Sequence, residues 1–127
     1  MSVEDMREVI DVHLMGSLNC SKAVWETMRE QSYGRIVLTS SSSGLYGNFG
    51  QTNYGAAKMA MVGIMNTLHL EGMKYNIKVN CLAPTAGTAM TDGLFPEPVF
   101  KLMPPESVSP GVVFLCSKDA PSRKVLA

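Results

Sequence analysis

The chain of 127 residues is poor in charge, in paired cysteines and in long apolar runs. Its eleven basic side chains balance its eleven acidic ones, and charged residues make up only 17% of the sequence. Such a balance sets up no net field for nucleic acid or for an anionic membrane surface, so neither is expected as a partner. No apolar run approaches the ~20 residues of a membrane span. The start, Met-Ser-Val-Glu-Asp-Met-Arg, is charged where a secretory signal needs an apolar core. The three cysteines, Cys20, Cys81 and Cys116, are odd in number and far apart, which speaks against a disulfide framework or a C-x-x-C metal site. They read as small hydrophobes in a reducing compartment, and a cytoplasmic location is expected. His13 and His69 also lack metal-ligand spacing, so no metal is expected.

Hydrophobic residues nevertheless make up 46% of the chain, enough for a packed domain, and their spacing predicts its elements. Ser2-Val3-Glu4-Asp5 has the form of a capping box, and apolar residues at 3, 6, 9, 10, 14, 18, 24, 25 and 28 predict one long amphipathic helix to about Glu30. Ile36 to Ser40 reads as a short buried parallel strand. A helix from about Asn53 to Tyr75 follows, apolar on nearly every side, which calls for cover on two faces: the sheet on one and another helix or subunit on the other. Ile77 to Ala83 is a second strand, stopped by Pro84. The stretch 92–105 has no clear period, and a short helix is predicted from about Val108 to Ser117 with Pro110 in its first turn. Strand, crossover helix and strand form one βαβ unit of an α/β fold.

The chemistry concentrates at one place. Tyr54 and Lys58 stand one turn apart on the second helix, on the same face, so a phenol and an ammonium share a small volume. Free tyrosine titrates near pH ~10, and a fixed positive charge beside it favours phenolate, which suits a general acid or base. Ser41 lies thirteen residues before Tyr54, at the end of the first strand. The glycine-rich stretch between them can fold back and bring its hydroxyl beside the phenol.

This pattern resembles the short-chain dehydrogenase/reductase family. The residues that carry the resemblance are Arg35 to Lys58, Asn80-Cys81-Leu82-Ala83-Pro84 and Ala86-Gly87-Thr88-Ala89-Met90-Thr91, and the Tyr46-Gly47-Asn48-Phe49-Gly50-Gln51 loop is most similar to the (3R)-hydroxyacyl-CoA dehydrogenase branch found in peroxisomal multifunctional enzymes of type 2. A lone Y-x-x-x-K is weak evidence, whereas strand, serine, glycine loop, Y-x-x-x-K helix and N-x-x-A-P strand end together are specific. The likeness covers about residues 2–118, and the tail from Ala120 to Ala127 matches nothing in it.

The resemblance implies a partial Rossmann-like, doubly wound parallel sheet and a hydride transfer between NAD or NADP and a carbonyl or hydroxyl group of a small acyl substrate, a 3-hydroxyacyl thioester in this branch. It implies Tyr54 as acid/base, Lys58 as its tuner and ribose ligand, Ser41 as the substrate's hydrogen-bond partner, and Pro84, Gly87 and Thr88, with Thr91 beside them, as cofactor contacts. His13 stands where most relatives have an asparagine that helps hold a relay water, which makes it a further catalytic candidate. Thr85 departs from the glycine that follows this proline in most relatives. The resemblance also implies a homo-oligomer joined through the helices over 3–30 and 53–75, and it leaves the peroxisome open as a location, although the final Val-Leu-Ala is no peroxisomal tripeptide.

One family feature is missing. A dinucleotide site needs a glycine-rich turn between a first strand and first helix to hold the pyrophosphate, and the glycines at 44, 47 and 50 do not form it. The chain therefore reads as the C-terminal, catalytic half of such a domain, without the nucleotide-binding half. The alternative is a non-catalytic oligomerisation or interaction module of the same family.

Overall fold

The computed structural model describes residues 1–89 and 91–127, so Met90 of the 86–91 segment lies outside the described residues. The predicted capping box is present: the Ser2 hydroxyl accepts from the Asp5 N–H at 3.1 Å, and the Asp5 carboxylate accepts from the Ser2 N–H at 2.7 Å. It opens α1 (Val3–Val9), which runs through a π-helical turn (Ile10–Met15) into α2 (Gly16–Glu30). The predicted long helix is thus present with its expected end, but its middle is wound more widely than any apolar spacing announces.

β1 (Gly34–Thr39) and β2 (Ile77–Leu82) pair in parallel, from Gly34 opposite Ile77 to Thr39 opposite Leu82. Between them run α3 (Ser42–Tyr46) and α4 (Thr52–Gly72), the latter tightening into a 3-10 turn over Met73–Tyr75. Ile36, Leu38, Met61, Met65, Ile77, Val79 and Cys81 form the core, with Leu14, Trp25 and Met28 of the first helix packed against it. Fully burying one such side chain contributes about 1.5–3 kcal/mol. The all-round apolar character of α4 has its second cover within the chain, because the first helix packs on it, although Met59 and Leu70 stay exposed.

Two strands are predicted from the sequence, and among the described residues the sheet has three. β3 (Val125–Leu126) pairs in parallel with β2, giving the order β1-β2-β3. Two exposed residues carry no alternation to read. What places them is the buried amide of Asn80, which donates to the Pro121 carbonyl at 2.9 Å and accepts from the Lys124 N–H at 3.1 Å. The His69 ring and the Ser122 hydroxyl, 2.8 Å apart, fasten the same segment to α4. Beyond β2 come α5 (Glu97–Phe100), a 3-10 turn at Pro105–Val108 and α6 (Ser109–Cys116), close to the predicted short helix. Among the described residues, no helix is long and apolar enough to cross a membrane.

Candidate active site

The C-terminal ends of β1 and β2 open toward one side, the side on which open α/β sheets bind ligands. Ser40 leaves β1 and is fixed twice: its N–H donates to the Leu82 carbonyl at 2.7 Å and its hydroxyl to the Lys58 carbonyl at 2.9 Å. Ser41 follows in extended conformation and caps α3, its Oγ accepting from the Ser43 N–H at 3.2 Å. That bond occupies a lone pair and leaves the Ser41 O–H free to donate to an oxygen in the cleft.

Close approach of α3 to α4 brings Ser41 to the tyrosine, and Gly44 permits it. A Cβ at Gly44 would lie 2.8 Å from the Met59 nitrogen and 2.9 Å from the Lys58 Cβ, atoms that cannot give way singly. A glycine read in sequence as a flexible loop residue is therefore a packing requirement of the site. Its signal was present in Ser43-Gly44, but nothing local distinguishes a hinge from a contact point.

Tyr54 and Lys58 lie on the predicted face of α4. The Lys58 ammonium is 5.5 Å from the centre of the Tyr54 ring and donates to the Thr39 carbonyl at 3.1 Å, which holds it at the end of β1. The side chain is only 7% exposed, and burial pushes its pKa below the ordinary lysine value. His13, from the π-helical turn, meets the Tyr54 ring edge to face, with centroids 5.3 Å apart and planes at 86°. Burial, and next the Lys58 charge, hold the imidazole below its usual pKa. The structure thus brings together His13, Tyr54 and Lys58, residues from two separate helices.

Ser41 and Tyr54 share a pocket of about 470 Å³ with Pro84, Thr91, Leu94 and Phe95. Of the loop after β2, Thr91 ties the turn together: its hydroxyl donates to the Ala86 carbonyl and accepts from the Thr88 N–H, both at 2.7 Å. The Gly87 N–H donates to the Met103 carbonyl at 2.6 Å, and a Cβ there would lie 2.9 Å from the Phe100 carbonyl oxygen. Gly87 therefore braces the 97–103 segment in this conformation and Thr88 is bonded to Thr91 within the turn, while Pro84 and Thr91 line the pocket.

A serine, a tyrosine and a buried lysine at the strand ends, in this order and on these elements, coincide with a family match: the sequence profile of the short chain dehydrogenases fits residues 1–98. The chain belongs to the short-chain dehydrogenase family. A short-chain type dehydrogenase/reductase of Mycobacterium tuberculosis is 53% identical over 94% of this chain, which spans 42% of that protein. A 3-oxoacyl-[acyl-carrier-protein] reductase of Synechocystis is 38% identical over 94% of the chain, which spans 51% of the reductase. The solved structure of full-length peroxisomal multifunctional enzyme type 2 from Drosophila melanogaster superposes with a TM-score of 0.88 at 41% identity, covering 98% of this chain and 22% of that one. The short-chain dehydrogenase likeness thus extends over nearly all of the chain, and the chain spans about half or less of these relatives' length.

The family uses a nicotinamide dinucleotide, and the donors present fit one end of it only. The Lys58 ammonium and the Tyr54 hydroxyl suit the hydroxyls of a ribose. No glycine-rich strand-to-helix turn of the kind that cradles a pyrophosphate occurs in the sequence.

Proposed function

We propose that this chain supplies the proton-transfer half of a short-chain dehydrogenase that interconverts a carbonyl and a secondary alcohol on an acyl thioester. The observation that carries this reading is the Lys58 ammonium, buried and held 5.5 Å from the ring of Tyr54, with Ser41 on the same pocket. The nicotinamide, NAD or NADP, supplies or takes up the hydride when bound. Ser41 donates to the substrate oxygen, and Tyr54 gives that oxygen its proton in reduction or removes it in oxidation. Lys58 sets its positive charge beside the Tyr54 ring and holds the ribose; Pro84 and Thr91 border the nicotinamide end, on the loop that also carries the candidate contacts Gly87 and Thr88. The 3-oxoacyl reductase among the relatives and the apolar Leu94 and Phe95 on the pocket wall support an acyl chain as substrate. The helices over 3–30 and 53–75, with Val24, Leu70 and Met73 exposed, are the surface through which copies of the chain associate. Three free thiols suit a reducing compartment, the cytosol or the peroxisomal matrix.

The test is Tyr54→Phe in a form of the enzyme that carries the relatives' full length, assayed for NAD(P)H-dependent reduction of a 3-oxoacyl thioester. Turnover falls by about 10²–10⁴-fold while cofactor affinity stays nearly unchanged. More than a tenth of the original activity would remove Tyr54 from its role.

A further inference from the structure

Helix 3–30 changes its winding at one place. Over Ile10–Met15 it is π-helical, and the Gly16 N–H reaches back five residues to the Asp11 carbonyl. Such turns are rare, interrupt the regular ladder and are met mostly at functional sites. An extra residue in a turn also rotates the flanking side chains by about 100° relative to a continuous α-helix, so it re-aims what the turn carries. No proline lies between Met1 and Glu30 to force the distortion.

The side chain at the centre of this turn is His13, and its ring lies against Tyr54. A centroid separation of 5.3 Å and a plane angle of 86° fall within the preferred edge-to-face arrangement of aromatic pairs. The Tyr54 ring thus has His13 at 5.3 Å and the Lys58 ammonium at 5.5 Å from its centroid. The backbone of His13 is engaged separately, since its carbonyl accepts from the Ser17 hydroxyl at 2.7 Å. The imidazole is therefore the part of the residue that meets the acid/base, and burial and the Lys58 charge both push its pKa down.

We infer that His13 is a positioning residue whose ring, presented by the π-helical turn, holds the plane of the Tyr54 ring through aromatic contact and not through a relayed proton. The inference rests on Tyr54 being the acid/base, and a phenol held at a fixed angle keeps its hydroxyl within reach of both Ser41 and the substrate oxygen. An asparagine at this position would offer hydrogen bonds and no ring face. The two roles therefore separate by substitution: phenylalanine keeps the contact and discards the proton-handling nitrogens, while asparagine does the reverse.

Two readouts decide it. In the 127-residue chain, aromatic NMR should show His13 ring protons shifted by the Tyr54 ring, with the shift kept in Tyr54→Phe and lost in Tyr54→Leu. Tyr54 ring signals should hold their positions in His13→Phe and move in His13→Ala and His13→Asn. In the full-length enzyme, His13→Ala and His13→Asn should lower kcat by about 10- to 100-fold with KM little changed, and His13→Phe should restore most of that loss. Full activity in His13→Asn with a dead His13→Phe would overturn the inference in favour of proton relay, and unchanged Tyr54 signals in His13→Ala would overturn it outright. Tyr54→Phe retaining turnover would instead sink the functional reading, leaving the NMR series to judge the ring contact by itself.

Discussion

The unit from β1 to β2 and the segment that follows it are built on opposite principles. In the first, Leu38, Ala57, Met61, Met65, Ile77, Val79 and Cys81 are almost wholly buried, and strands, helix and candidate-site side chains share their fixed points. In the second, no described residue from Pro84 to Phe114 is buried, and Leu94 and Leu102 are 70% and 80% exposed. Groups that must hold a proton within a fraction of an ångström belong on the packed unit, where displacement breaks many contacts at once. On the proposed function, a segment that admits and releases the substrate belongs where opening costs little.

The contrast can be broken most forcefully at its packed end. Met61→Ala empties a fully buried position between α4 and the sheet, and a loss of about 2–5 kcal/mol is expected in denaturant unfolding. The same experiment on Leu102→Ala should give a change within about 0.5 kcal/mol, because its side chain leaves water hardly at all. Equal losses at the two positions would erase the distinction. Gly44→Ala should come next in size. The added methyl meets the Lys58 and Met59 backbone, so α3 must withdraw, at about 1–3 kcal/mol of stability, and Ser41 withdraws with it. Thermal unfolding and turnover should both fall, and an unaltered turnover would show that Ser41 does not depend on this approach.

The smallest expected effect on stability is also the most telling for function. Burial already lowers the Lys58 pKa, so the charged form is carried at a cost to the fold, relieved by one bond to the Thr39 carbonyl. Lys58→Met should leave Tm unchanged or raise it by a few degrees, since replacing a buried charge by an apolar chain of similar volume is often neutral or stabilising. It should also abolish turnover. A marked fall in Tm would mean that the ammonium is there for the fold.

What could be read in the sequence follows the same division. The capping box at Ser2, the end of the first helix, both core strands and the Tyr54–Lys58 face are set by spacing and burial over long segments, and those signals are local and periodic. The π-helical turn at Ile10–Met15 is invisible to apolar spacing because one extra residue in a turn barely disturbs it. β3 escaped because its two residues are placed by Asn80, Ser122 and the edge of β2, none of which lies beside them in sequence. The role of Gly44 escaped because it depends on a helix that begins eight residues later.

Native-state hydrogen exchange on the 127-residue chain tests the division most directly. Amides of Ile36 and Leu38, which face β2, and those of Ala57 to Met65 and Val79 to Leu82 should exchange only through global unfolding, while those of Leu94, Lys101 and Leu102, though hydrogen-bonded in short turns, should exchange orders of magnitude sooner. Early exchange along Ala57 to Met65, on the helix that carries Lys58, would contradict the claim that a rigid βαβ unit holds the acid/base site beneath a loosely packed cover.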